Sequence, residues 1–405
     1  MLQRIAESLE YGYLLDKADQ ADDAILRMEL LMAFCVSCLS SSKDRSLKPF
    51  NPVLGETFQL ETPDSRCIAE QISHHPPISA FHAQGKQFTV YCNLQPRVVF
   101  WGMSLEVDPN SNHVITLKRH NEHYFWTGVP IIIKSILFGT PHLEYDGVLE
   151  IRKHNSTLRG ILDFAAGNRA KSSDVERTRV VGTIFDGERK LRNLKGFWAD
   201  HLMSTSATGP DFRRASAGAN SGGFHRLRNP ADEQVNKRRS NHQKVRSSGS
   251  SAANKTNRQK SQANSTLKID KCDPGDSQND RLLFKMTERP PKSSDYFSFS
   301  YFALTLNQLR REPGSDICAT DSRFRPDLRL FEEGKEQQSE EARDRLRQRA
   351  HENRNKNNTT TTAANEGTTS TSHHPHKPRF LKFDSTLTGL TFWFLYLLTS
   401  TNIIQ

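Results

Sequence analysis

Large apolar side chains are scarce in this chain: 35% of its 405 residues are hydrophobic, and the mean hydropathy is −0.67. Such a composition excludes one fully globular body and implies that part of the chain is disordered. Cysteine is equally sparse, six residues at irregular spacing. Cys35 and Cys38 form a Cys-x-x-Cys within an apolar helical run, and no second pair completes a zinc site, so reduced thiols in a core are expected. No Gly-x-Ser-x-Gly elbow accompanies the histidines, which argues against a hydrolase. Paired zinc ligands and an aromatic RNA-binding box are also missing, so nucleic acid is not an expected partner. Arg4, Glu7 and Glu10 stand where a secretory signal would be apolar. The sequons at Asn155 and Asn357 are therefore expected to carry no sugar.

Positive charge is plentiful. Lys and Arg number 56 against 46 Asp and Glu, a net charge of +10, with an isoelectric point near 9.3. That balance favours acidic partners such as an anionic membrane or a phosphoinositide. Along the chain, Leu2, Ile5, Leu9, Ile25, Met28, Leu31, Met32 and Cys35 recur at helical spacing. From about residue 55 to 203, short β-branched or aromatic runs take over, among them 88–91, 98–101, 114–117 and 148–151. Asp146-Gly147 and Asp186-Gly187 are turn signals between such runs. The class is mainly β with flanking helices: a large antiparallel, nearly closed barrel able to enclose one apolar ligand.

Composition divides the rest. Residues 1–203 and 281–352 form one domain, interrupted by a disordered insertion at 204–280 rich in Ala, Ser, Asn, Gly, Lys and Arg. Residues 329–354 are expected to form an exposed, charged helix. A low-complexity linker at 353–378 includes His373-His374-Pro375-His376, which is not expected to hold metal. An apolar tail at 379–405 ends the chain. Ser385 to Gln405 carries no charge and is long enough to span a bilayer. Its threonines dilute the apolarity, so packing on the domain is expected, with a membrane anchor as the alternative.

The chemistry concentrates in Glu70-Gln71-Ile72-Ser73-His74-His75-Pro76-Pro77-Ile78-Ser79 and, upstream, Lys48-Pro49-Phe50-Asn51-Pro52-Val53-Leu54-Gly55-Glu56. Adjacent side chains of an extended strand point to opposite faces. Two prolines restrict the backbone, so a turn could aim both imidazoles one way. Imidazole, ammonium and amide donors together suit a phosphate. On the residues alone, a phosphate corner and a pair of satisfied core histidines both stand.

The two runs together resemble the signature of the oxysterol-binding-protein family, lipid-exchange proteins of eukaryotes. Further blocks agree in order: Leu2 to Asp16, Phe100-Trp101-Gly102 with Ser104-Leu105-Glu106, Leu194 to Trp198, Pro290-Pro291-Lys292, Tyr301 to Asn307 and Thr320 to Asp327. The resemblance covers roughly residues 1–203 and 282–352. It implies a barrel with a lipid tunnel, no catalysis and no cofactor. The implied role is exchange of sterol or another lipid for phosphatidylinositol 4-phosphate at membrane surfaces, by a cytoplasmic protein peripheral to intracellular membranes. His74 and His75 would take the 4-phosphate, and Lys48 and Asn51 the glycerol-side phosphate. The family's later helix adds a lysine, a glutamate and an arginine at four-residue spacing. Counted from Asp321 these positions hold Arg343, Arg347 and His351, of which Arg343 is carried over as a head-group residue. The family domain opens with a lid upstream of Leu2, and this chain starts after it. That implies one alternative, a phosphoinositide-binding module without transfer; the uncharged tail implies another, a tail-anchored tether.

Overall fold

The computed structural model describes residues 1–45, 50–165, 173–207, 280–308 and 317–362. The N-terminal periodicity becomes α1 (Leu2–Ala6), a 3-10 turn (Glu7–Tyr11), α2 (Tyr13–Gln20) and α3 (Ala24–Ser40). α3 starts where the Asp23 carboxylate accepts the Ile25 N–H at 2.9 Å, an N-cap. It is apolar almost all round, as a helix packed on every side must be. Met28, Leu31, Met32, Ala33 and Val36 are completely buried on it, and Cys35 lies among them.

Strands follow at short intervals. The first eight are β1 (Thr57–Glu61), β2 (Ser65–Ser73), β3 (Ile78–Gly85), β4 (Phe88–Leu94), β5 (Arg97–Phe100), β6 (Ser104–Asp108), β7 (Ser111–Leu117) and β8 (Glu122–Thr127). The rest are β9 (Ile131–Lys134), β10 (His142–Tyr145), β11 (Val148–Lys153), β12 (Leu158–Asp163), β13 (Arg179–Asp186), β14 (Arg189–Phe197), β15 (His201–Ser206) and β16 (Arg281–Lys285). Twelve make one antiparallel sheet in the order β1-β2-β3-β4-β7-β8-β11-β12-β13-β14-β15-β16, and β10-β9-β6-β5 make a second. The expected turn glycines Gly147 and Gly187 both take positive φ, a conformation glycine enters without a Cβ penalty.

Among the described residues, β1 and β16 do not pair, so the large sheet stops short of closure. The free edge of β1 is covered instead. Thr57 N–H donates to the Thr320 carbonyl at 2.9 Å, and Gln59 N–H to the Asp321 carboxylate at 2.8 Å. Covering an edge removes a template for unwanted strand pairing.

α3 lies against β12, β13, β15 and β16. Its approach depends on two glycines. A Cβ on Gly160 would stand 2.6 Å from Met32 Sδ, and one on Gly182 would stand 3.1 Å from Met32 Cε. Glu29, wholly buried on α3, accepts from Arg192 Nε at 2.8 Å, Arg281 Nη1 at 2.9 Å and the Ser204 hydroxyl. One carboxylate thus ties the helix to three successive strands.

β15 and β16 are hydrogen-bonded neighbours, with Ser204 opposite Arg281. β15 therefore runs three residues into the start of the expected insertion, and β16 begins directly after its end; residues 208–279 lie outside the described residues. After β16 come α4 (Tyr301–Thr305), α5 (Pro326–Glu332) and α6 (Glu336–Thr362). α6 extends ten residues past 352 into the stretch expected as linker. Among the described residues no helix is long and apolar enough to cross a membrane, and the tail at 379–405 lies outside them.

Two histidines sit in the sheet as neutral rings, His82 buried and His113 half-buried. Burial holds His113, stacked on Trp126 with centroids 4.9 Å apart, down to about 4. Burial, with Arg66 and Lys118 nearby, holds His82 down to about 4 as well. An unfolded chain regains the ordinary value of 6.5 and takes up these protons first. Their contribution is therefore complete above pH 6.5 and is lost as pH falls towards 4. The urea midpoint is expected to fall across that window, and His113→Phe to flatten part of the fall. A pH-independent midpoint would contradict the neutral rings.

Candidate functional site

The site grows from the β2–β3 hairpin. Gln71 pairs with Ser79 and Ser73 with Ile78, with an irregular step between the two pairs. His74, His75, Pro76 and Pro77 make the turn, and the His75–Pro76 peptide is cis. Neither proline has an N–H to extend the ladder, so the hairpin must end there. The neck is braced by Gln71, whose amide donates to the Ser73 carbonyl at 2.7 Å and accepts from the Ser79 hydroxyl at 2.5 Å. Both imidazoles are exposed. They stand edge to face, centroids 4.5 Å apart and planes at 67°.

The upstream loop lies along the base of this hairpin. Gly55 N–H donates to the Gln71 carbonyl and Gln71 N–H to the Glu56 carbonyl, each at 2.9 Å. Gly55 has a φ of 78°, where a side chain would be strained. The Asn51 side chain is exposed a few residues before this contact. Lys48 lies outside the described residues.

A third segment clamps the loop from the far end of the chain. The Arg325 guanidinium donates to the Asn51 carbonyl at 2.8 Å, to Glu56 Oε2 at 2.8 Å, and to both oxygens of Asp327 at 3.0 and 2.6 Å. Arg325, Glu56 and Asp327 are all buried. Beside them, Arg323 pairs with Asp321 at 2.8 Å, and the Ser322 hydroxyl donates to Glu56 at 2.6 Å. Pro326 then opens α5 at a position where a missing N–H costs nothing.

α6 places Arg343 on the same loop. Its guanidinium lies 4.2 Å from the centroid of Phe50, which packs in turn on Phe331 with centroids 5.4 Å apart. Arg343 Nε is buried and has no hydrogen-bond partner among the described residues. Arg347 instead turns back on its own helix to Asp344 at 3.1 Å, both exposed. The described residues do not include the His351 side chain. The structure thus packs Arg343 of α6 on the loop that carries Asn51 and lays that loop against the hairpin that ends in His74 and His75. Phe50, Glu56, Arg325 and Asp327, which build this arrangement, have no phosphate-binding pattern of their own. Their signal is the pair of short proline-flanked runs in which they sit. Among the described residues no group of His, Cys, Asp and Glu is placed to hold a metal ion.

The family model described as oxysterol-binding protein matches residues 1–396. The chain belongs to the oxysterol-binding protein family. It is 33% identical over 354 residues to oxysterol-binding protein-related protein 1 of Rattus norvegicus, covering 86% of this chain and 34% of that protein. It is 32% identical over 355 residues to the related protein 2 of Homo sapiens, covering 86% and 68%. This oxysterol-binding family chain therefore spans about a third of the rat relative's length. In fold it is similar to the Osh1 ORD domain solved with cholesterol, at TM-score 0.70, 24% identity and 98% and 80% coverage of the two chains. It is similar also to the Osh3 ORD of Saccharomyces cerevisiae solved with PI(4)P, at TM-score 0.64, 24% identity and 88% and 77% coverage.

Removing one member of a buried ion cluster leaves the others charged and unpaired, at about 3–5 kcal/mol. Arg325→Ala is therefore expected to lower unfolding free energy by about that amount in urea titrations. Arg325→Lys is expected to fall between, because one ammonium cannot serve two carboxylates and a carbonyl in fork geometry. An unchanged midpoint in both variants would sink the clamp.

Proposed function

We propose that this chain binds sterol or another lipid and phosphatidylinositol 4-phosphate alternately in one tunnel, and exchanges them between membranes. The observation that carries the reading is the paired imidazoles of His74 and His75 at the end of a rigid hairpin, braced against the loop that bears Asn51 and that Arg343 of α6 packs on through Phe50. A phosphomonoester offers several anionic oxygens, and donors on separate elements can reach them together. His74 and His75 would bind the 4-phosphate. Lys48 and Asn51 would bind the phosphate on the glycerol side. Arg343 would contribute its unpartnered Nε.

Family membership supports the reading, as do fold neighbours solved with cholesterol and with PI(4)P. The mechanism is competitive binding. Each lipid displaces the other, and a difference in phosphoinositide level between two membranes sets the direction; no bond is made or broken. The protein would act from the cytoplasm, peripheral to intracellular membranes and at their contact sites.

Hydrogen bonds to charged groups contribute about 1.5–3 kcal/mol each, and every 1.4 kcal/mol is about tenfold in affinity. His74→Ala/His75→Ala is thus expected to weaken phosphatidylinositol 4-phosphate extraction from vesicles roughly a hundredfold or more. Extraction of a fluorescent sterol should change little. The measurement is transfer of each lipid between donor and acceptor vesicles. Wild-type phosphoinositide extraction by the double variant would overturn the head-group assignment, and binding without movement of either lipid would overturn exchange.

A further inference from the structure

Five large apolar side chains outside the head-group site gather at one end of the small sheet. Phe100 (60% exposed), Trp101 (66%) and Met103 (60%) form the β5–β6 hairpin tip, and Leu137 (62%) and Phe138 (76%) the β9–β10 tip. Register brings the two tips together. β6 pairs with β9, and Ser104 faces Lys134, so both hairpins turn at the same end. Both tips are ordered turns, with Gly102 and Gly139 at positive φ and Trp101 N–H donating to the Ser104 carbonyl at 2.9 Å.

Topology relates this end to the histidine turn. Leu94, at the end of β4, lies opposite both Ser79 and Ser111. The chain therefore leaves the large sheet for β5, and returns from β6 to β7, at the rim where the His74–Pro77 turn sits. Thr127 ends β8 opposite Asn112, so the passage to β9 leaves from that rim as well. Within the small sheet Arg97–Asp108 is the pair nearest the rim and Phe100–Leu105 the pair furthest from it. The tips thus stand at the outer end of a small sheet that leaves the large one at the rim carrying the histidines.

We propose that these two tips insert into the interfacial layer of a lipid bilayer and seat the histidine-bearing rim on it. The inference rests on the lipid reading above and names the surface that meets the membrane. Charge selects the occupant. Residues 100–104 and 135–142 contain no Asp or Glu. The acids behind them are engaged, Glu106 by the Trp101 indole N–H at 2.8 Å and Glu144 by Lys134, with His142 at 3.3 Å. In a chain of net charge +10, such tips meet an anionic surface without repulsion. Tryptophan is favoured at that depth because its ring is apolar while its N–H stays satisfied.

The test is flotation of the full chain with vesicles of phosphatidylcholine and phosphatidylserine that contain no phosphoinositide, together with quenching of tryptophan by acyl-chain-brominated lipid. Binding is expected, with quenching that disappears in Trp101→Phe. Trp101→Ser/Phe138→Ser should bind about tenfold or more weakly, with an unchanged urea midpoint because both side chains are exposed. His74→Ala/His75→Ala should bind these vesicles as the parent does, which separates failure of the tips from failure of the head-group site. Three results would each overturn the proposal: no vesicle binding by the parent, parent-like binding by the tip variant, or a parental dimer that the tip substitutions dissolve.

Discussion

The buried guanidinium of Arg325 is the constraint on which the site depends. It joins residues 269 and 274 positions apart in the chain, at Glu56 and Asn51. Its three nitrogens face fixed acceptors on two segments: Asn51 and Glu56 of the upstream loop, and Asp327 in the first turn of α5. Charge-assisted bonds of this kind are short and directional. They are also conditional, because an ion taken out of water is tolerated only while its partners stay in place. The loop that carries Asn51 is therefore held from behind, by buried groups.

The same division of labour recurs at α3. There Glu29 binds two arginines and a serine while Met28 and Met32 lie on glycines of the sheet. Packing brings the helix close, and the ionic cluster selects which strands it meets. Thioether chains suit such a contact because they adapt to an irregular surface. An added methyl group at Gly182 would meet the Ile161 carbonyl oxygen, and one at Gly160 would have to push the Met32 thioether aside.

Local chemistry was the part most legible from residue order. Pro76 and Pro77 announced a rigid turn, glycines at 147 and 187 announced turns between strands, and apolar residues at helical spacing announced α1 and α3. Four β-branched or aromatic runs all became strands. Their environments could not be told apart by pattern: Val98, Val99 and Phe100 are exposed, while Val114, Ile115 and Leu117 are buried. That difference depends on which sheet a strand joins, a pairing decided by distant partners. α6 shows the same limit. Spacing alone put Arg343 and Arg347 on one helix face, yet one lies over Phe50 and the other returns to Asp344. Nothing near residue 343 reveals that an aromatic ring almost three hundred positions away would receive it.

The adjacency of β15 and β16 has a consequence for how this chain could vary. Ser204 and Arg281 face each other across one strand spacing, about 5 Å. The segment between them begins and ends at the same place, and lengthening such a closed path is cheap, about 0.6 kcal/mol per doubling. The joint acts as a port in the sheet: whole modules could be spliced in or cut out there by recombination while the strands on either side keep their register.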